Sequence, residues 1–271
     1  MNYQTFEPAD DLATWVKCYW ILEFPKERVP EKQRIVPDGC MEMIFHYGDC
    51  YRQYLDPHTC ILQPRCFVIG QLTEVLEIEP TGETGIFSVR FHPGGFFPFA
   101  EILPKELENK AVDLETVFGE IGLKLAEAIV QAETTARRIE LAEQFLLELL
   151  SEQAVADRII SSTVETIVTA NGQLSVGELS DQLQVHRRQL ERKFASFVGL
   201  SPKQLSRIVR FQSVLRRLLN NDFTTLSALA HEEEFYDQTH FIKDFKEFTG
   251  LTPTDFYGND LRMSALFYGT E

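Results

Sequence analysis

The chain has little of what would place it in a membrane, a secretory route or a metal-built scaffold. No run of about 18 apolar residues occurs, so no segment is expected to cross a bilayer. The opening Met1-Asn2-Tyr3-Gln4 lacks a basic stretch followed by an apolar one. No signal peptide is therefore expected, and the cytoplasm is the expected location. Cysteine is scarce and odd in number: Cys18, Cys40, Cys50, Cys60 and Cys66, with no CxxC pair. That spacing supports neither a disulfide framework nor a zinc site. Reduced, partly buried thiols are the plain expectation, with a thiol sensor left open. The nucleophile-elbow GxSxG, the phosphate-binding Walker A loop and the dinucleotide GxGxxG are all missing, and no cofactor is implied.

Basic charge is also in deficit. Against 41 Asp and Glu stand 26 Lys and Arg, a formal net of −15. Taken whole, such a balance argues against a polyanionic partner. The distribution argues the other way. Residues 1–150 carry 13 basic and 25 acidic side chains. The stretch from Arg187 to Arg217 carries nine basic groups (Arg187, Arg188, Arg192, Lys193, Lys203, Arg207, Arg210, Arg216, Arg217) and the single acid Glu191. A local net of +8 in 31 residues suits a phosphate-facing surface, or a basic face balancing an acidic neighbour.

The first part reads as strands. Trp15–Phe24, Met41–Tyr47, Cys66–Gly70, Glu74–Glu79 and Gly85–Phe91 are rich in apolar and aromatic residues, with partial alternation. Thr81-Gly82 between the last two predicts a hairpin. Helices follow over Leu114–Ala132 and Thr135–Leu150. Their apolar faces run through Leu123, Ala126, Ile129 and Val130, then Ile139, Ala142, Phe145, Leu146, Leu149 and Leu150. This pair can cap the domain or pack against a second copy as a homodimer. A boundary is expected near 151–155, giving an N-terminal sensor or dimerisation domain over 1–153 and a helical domain over 154–271. A helix Val155–Ala170, closed by Asn171-Gly172, opens the second domain.

An internal repeat carries the most information. Leu190, Phe194, Phe197, Gly199, Leu200, Ser201, Pro202 and Leu205 recur 51 residues later as Phe241, Phe245, Phe248, Gly250, Leu251, Thr252, Pro253 and Phe256. The apolar positions at i, i+4 and i+7 make one helix face. Each glycine suits a left-handed helix end, and hydroxyl-then-proline starts the next helix. Ser175-Val-Gly-Glu178 and Ser201-x-x-Gln204 are capping boxes. A shorter helix precedes each copy, so both read as helix-turn-helix units, joined by a helix Pro202–Leu219. The alternative is a plain duplicated helical bundle. Against it, Arg187, Arg188 and Arg192 cluster on the opening turns of the longer helix, the part that enters a major groove.

Residues 156–258 resemble the DNA-binding domain of the AraC/XylS family. The matching stretches are His186–Phe194, Gly199–Pro202, Arg207–Phe211, and Phe235–Phe245 running into Thr249–Pro253. Residues 1–150 are similar to an uncharacterised sensor-type domain through Pro37-Asp-Gly-Cys40 and Phe91-His-Pro-Gly-Gly95. The resemblance implies an α+β chain: a β-rich, cupin-like domain with helices, then an all-α domain with two helix-turn-helix units. It implies a transcriptional regulator, an activator that recruits RNA polymerase at a double-stranded DNA operator and is governed by a small-molecule effector or by dimerisation. By position, Arg188 and Arg192 contact bases, flanked by Arg187, Gln189 and Glu191. Gln238, Thr239 and Lys243 do so in the second unit. Lys193, Lys203, Arg207 and Arg210 serve phosphates or internal pairing.

Two departures from the family pattern stand out. Gln184 replaces a common glycine in the first turn, and Glu232, Glu233 and Glu234 crowd the second. Three carboxylates beside a duplex oppose binding, so the first unit is expected to contribute more affinity. Two alternatives remain open at this point. One is a regulator working mainly by protein contact. The other is a metal-binding cupin-type enzyme fused to a DNA-binding domain, with His46, His58 and His92 as its only candidate ligands. No HxH or HxxxE spacing supports a metal there, and no enzyme is expected.

Overall fold

The computed structural model describes residues 1–56, 58–150, 157–233, 235 and 237–257. The expected boundary at 151–155 lies outside them. The N-terminal part is a sandwich of two antiparallel sheets. The larger runs, in spatial order, β1 (Asn2–Phe6), β2 (Val16–Phe24), β9 (Thr84–Phe91), β4 (Glu42–His46), β7 (Cys66–Ile69) and β10 (Ala111–Asp113). The smaller runs β3 (Gln33–Ile35), β8 (Leu76–Pro80), β5 (Tyr51–Tyr54) and β6 (Cys60–Leu62).

Alternation along the strands of the larger sheet assigns its two faces. One face carries Tyr19, Ile21, Met43, Phe45, Val68, Phe87, Val89 and Phe91, packed with Leu125, Ile129, Ala142, Phe145 and Leu146 of the helices. The other face carries Trp20, Leu22, Ile44, Phe67, Ile69 and Ile86, packed with Tyr51 and Ile78 of the smaller sheet. The same period sends the polar residues of β4 and β9, Glu42, His46 and Arg90, to the space between the sheets.

Three expectations are corrected. Glu74–Glu79 and Gly85–Phe91 do not form a hairpin: β8 pairs with β3 and β5, while β9 pairs with β2 and β4. The reason is burial. Every residue of β9 is buried, which demands a central strand covered on both faces, so the chain crosses between sheets at 81–83. The helix expected over Leu114–Ala132 is two, α1 (Leu114–Phe118) and α2 (Glu120–Gln131), because Gly119 at φ 66° breaks the ladder. The buried face of α2 runs through Gly122, Leu125 and Ile129, which leaves Leu123 exposed. Helix α3 (Thr135–Leu149) begins on a Thr134 cap and packs beside α2 on the sheet.

The C-terminal part is helical: α4 (Arg158–Thr169), α5 (Val176–Gln182), α6 (Arg187–Val198), α7 (Pro202–Leu219), α8 (Leu226–Glu232), α9 (Gln238–Thr249) and α10 (Pro253–Tyr257). Helix α4 is shorter than expected at its start, where Asp157 caps it by accepting from the amides of Ile159 and Ile160. Both capping boxes form, on Ser175 and Ser201. One core joins all these helices, through Ile160, Ile167, Leu179, Leu190, Phe194, Ile208, Phe211, Leu229, Phe241, Phe245 and Phe248 among others. Val36, from the β-rich part, is buried in the same cluster.

The two copies of the repeat differ in one position that matters. Phe248 is buried against Phe211, at 5.1 Å between ring centroids. Its counterpart Phe197 turns outward and packs on Phe97 of the β-rich part, with centroids 4.1 Å apart. The glycines that follow also differ. Gly199 and Gly250 are both left-handed, at φ 82° and 75°. A methyl at 199 would meet Pro104 at 3.0–3.1 Å, whereas one at 250 would have only Val75 at 3.6 Å. Gly250→Ala should therefore cost about 1 kcal/mol, the left-handed penalty alone. Gly199→Ala should cost clearly more, because the Pro104 backbone must also give way. Denaturant midpoints of the two variants check this, and equal losses would contradict the close approach.

Candidate nucleic-acid interface and the cavity between the sheets

Helix α6 presents its first turns to solvent because its buried apolar residues lie on the opposite face. Leu190, Phe194 and Val198 are fully buried, while Arg187, Arg188, Gln189 and Arg192 are exposed. The helix starts on His186, whose ring nitrogen accepts from the Arg188 amide at 3.3 Å. Arg187 Nε donates to Glu191 at 3.0 Å, an exposed pair of a few tenths of a kcal/mol that a duplex can displace. Neither the Arg188 nor the Arg192 guanidinium has a partner among the described residues. The turn before α6 places Gln184 at φ 52°, so the position where the family prefers glycine does take the left-handed conformation.

The second unit repeats the geometry. Asp237 caps α9 by accepting from the His240 amide at 2.8 Å, and those hydrogen bonds from the His240 amide and ring hold its carboxyl below the usual range. Gln238, Thr239 and Lys243 are exposed on the opening turns. Thus all eight candidate residues fall on the starts of the two longer helices, with Glu191 half-buried beside Arg187.

Much of the basic stretch is consumed inside the fold, which the sequence does not reveal. Lys193 is paired with Asp157, and Arg210 donates to the Gly172 carbonyl at 2.7 Å. Arg207 of α7 forks onto Asp244 and Glu247 of α9, with contacts of 2.8–3.2 Å. Burial pulls against its charge, but the two carboxylates overcome that and hold the proton more tightly than usual. This clamp ties α9 to the connecting helix α7.

Arg217 binds Glu232 at 2.5 Å and Glu233 at 3.3 Å, and Glu233 is only 5% exposed. One guanidinium thus offsets part of the charge of the acidic turn expected to repel a duplex, and shares itself with Asp222 as well. The third carboxylate, Glu234, lies outside the described residues. That leaves Arg188, Arg192, Lys203 and Arg216 as members of the basic stretch without a partner among the described residues.

A family profile described as a helix-turn-helix domain matches residues 179–258, spanning α5 to α10. The chain carries an AraC-type helix-turn-helix domain. That domain supports a DNA-binding transcription regulator. A second profile, a domain of unknown function (DUF6597), matches residues 4–113 and so spans all ten strands. No curated protein matches the chain in sequence. Solved structures of ToxT from Vibrio cholerae are distantly similar. A P21 crystal form covers 95% of this chain and 98% of its own at 10% identity, with a TM-score of 0.47. ToxT bound to (E)-4-(8-methylnaphthalen-1-yl)but-3-enoic acid covers 95% and 99% at 11% identity, with a TM-score of 0.46.

The AraC-type domain rests on a β-rich part that contains a cavity of about 80 Å³ between its two sheets. Its wall is mainly apolar, from Trp20, Ile44, Tyr51, Phe67, Ile69, Ile78 and Ile86. Asp38, Glu42 and Arg90 form a charged group at the wall, with Arg90 against both carboxylates. Burial pushes the Glu42 carboxyl from 4.5 up to about 7, although Ser88 and Trp20 donate to it at 2.7 and 2.9 Å. His46 also lines the cavity. Burial pushes it down to about 4, so its ring is neutral. The other histidines weighed as ligands lie elsewhere, His92 just beyond β9 and His58 exposed in the β5–β6 turn, and no metal-ligand cluster occurs among the described residues.

Two measurements follow from these contacts. Arg207→Gln should lose about 1–3 kcal/mol of stability through its charged hydrogen bonds, and should leave the salt dependence of DNA affinity unchanged. Lys203→Ala should instead reduce the log–log salt slope by roughly one unit if that lysine meets a phosphate. Titration of affinity against salt separates them, and a shallower slope for Arg207→Gln would contradict the clamp. For Glu42, the folded chain holds the extra proton between pH 4.5 and about 7. Its ionisation therefore removes stability as pH rises through that window. Glu42→Gln should flatten that fall in urea midpoint against pH, and an unaltered profile would contradict the burial of this carboxyl.

Proposed function

We propose that this regulator binds a specific operator with two recognition helices in successive major grooves, and that it acts by recruiting RNA polymerase. The observation that carries this reading is the pair of unpartnered guanidiniums, Arg188 and Arg192, on the first turns of α6. Four of the nine basic groups of this stretch, Lys193, Arg207, Arg210 and Arg217, are committed inside the protein. A helix of about 10–12 Å diameter fits a major groove about 12 Å wide. In this reading Arg192 pairs bidentately with a guanine, Gln238 with an adenine edge, and Lys243 with a base or phosphate. Arg187, Gln189, Glu191 and Thr239 complete the two faces. Such work places the chain in the cytoplasm, beside the DNA it reads.

Control by a small molecule is part of the proposal, supported by the cavity between the sheets. Dimerisation is the other route of control, supported by Ile121, Leu123 and Leu147, which remain exposed on α2 and α3. The chain acts by binding and not by catalysis in this reading, since the charged groups of the cavity are spent on one another. Pairing with Arg217 turns Glu232 and Glu233 toward the protein and offsets one of their two charges, which favours DNA binding over a regulator with crippled DNA binding.

Selection from a random-sequence DNA pool should recover a motif with two half-sites about one helical turn apart, ~34 Å. Failure to recover any motif would favour action by protein contact. Against the selected site, Arg192→Ala should cost about 1–3 kcal/mol and relax the preference at one base pair. Equal loss on all sequences would refute its role in reading a base.

A further inference from the structure

The segment Val36–Cys40 has two faces with different partners. Val36, Asp38 and Cys40 line the cavity. Pro37 and Gly39 between them face α7. The Pro37 carbonyl accepts from Gln212 Nε2 at 2.5 Å. Gly39 lies so close to Leu205 that an added Cβ would sit 2.6 Å from its Cδ1. Val36 belongs to the core of the helical part while also lining the cavity. The wall of the cavity is thus the docking surface of the helix that joins the two DNA-binding units.

The cavity also states what it would accept. Its only cation among the described residues, Arg90, faces two carboxylates, so an anionic ligand finds no uncompensated positive charge. Asp38 alone offsets that guanidinium, and Glu42 keeps its proton up to about pH 7. His46 offers an acceptor. Gln63 Nε2 donates to Gln53, which turns Gln63 Oε1 toward His46 Nε2 at 3.3 Å. The proton therefore sits on Nε2, and Nδ1 keeps a lone pair. That Nδ1 is buried without a hydrogen-bond partner, and its residue is 1% exposed. At about 80 Å³ the cavity suits a compact molecule of one ring rather than a long chain.

We propose that the cavity binds a compact, mainly apolar molecule that carries a hydrogen-bond donor and no negative charge, and that its occupancy reaches the DNA-binding domain through Val36–Cys40 and α7. This rests on the small-molecule control proposed above and specifies its ligand and its route. An amine or hydroxyl on an aromatic body matches the groups present: donor to His46 Nδ1, apolar body to Ile44, Ile78 and Trp20, and no uncompensated positive charge that would call for an anion.

The test uses the full chain without DNA, and three probes of equal shape: benzylamine, benzyl alcohol and benzoate. Binding is read by thermal shift and by tryptophan fluorescence, Trp20 being in the cavity wall. Benzylamine and benzyl alcohol should give saturable shifts in the millimolar range. Benzoate should bind at least about tenfold more weakly, or 1.4 kcal/mol. Benzoate binding equally well, or no saturable shift with any probe, overturns the ligand class.

The route is read by amide hydrogen exchange along α7. Benzylamine should alter protection at residues 205–212 in the natural chain. In Gln212→Ala it should still bind, with a clearly smaller change there. No change in the natural chain at saturation, or a full change in the variant, overturns the route. If benzoate alone binds and alters α7, small-molecule control stands and the ligand class falls. If no operator can be selected while both readouts succeed, the DNA reading falls and this one stands.

Discussion

Helix α6 is held on two sides, and that constraint leaves it a single free face, the one proposed to read DNA. Leu190, Phe194 and Val198 lock one side into the helical core. Phe197 and Gly199 press a second side against Phe97 and Pro104 of the β-rich part. What is left over is the strip of Arg188 and Arg192. A recognition helix must hold its side chains in a fixed register against base edges, since phosphates position and bases specify. Fixing the helix on two sides supplies that register without using the arginines themselves.

The duplication has not produced two equivalent units. Phe248 faces its own core and Phe197 faces the neighbouring domain. The second unit therefore depends on α7 and on side-chain ion pairs for its placement. Arg207 holds α9 through Asp244 and Glu247, and Arg217 holds the turn through Glu232 and Glu233. Charged clamps of this kind are partly exposed and weaken with salt, whereas the ring contact of Phe197 does not. The two units thus differ in how firmly each is anchored, with the first tied to the β-rich part.

The repeat was legible in the sequence because its meaning is local. Helix caps, left-handed glycines and i, i+4, i+7 faces are all decided within a dozen residues, and α7 falls where its proline and its apolar pattern put it. Strand partners are not local. Thr81-Gly82 looks like a hairpin turn, yet nothing nearby says that β9 must be covered on both faces. The charges are the same case. Arg207 and Asp244 stand 37 residues apart, so a count of basic groups overstates the surface left for phosphate. The cavity was illegible for a related reason. Glu42, His46 and Arg90 come from two strands, and Asp38 from a loop. They meet only because alternation sends the strand residues to one face.

The contacts between cavity wall and α7 also bound the strength of any signal between them. A ligand can shift an equilibrium only by its differential affinity for the two states. The segment Val36–Cys40 offers one hydrogen bond from Gln212, one tight approach of Leu205 to Gly39, and the burial of Val36. Altering such contacts changes free energy by about 1–3 kcal/mol, the usual range of coupling between sites, or about 5–150-fold in DNA affinity. Moving a population from 1:99 to 99:1 needs roughly 5.5 kcal/mol. The proposed route therefore suits a graded regulator, in which a bound ligand would tune DNA affinity and not switch it between wholly bound and wholly free.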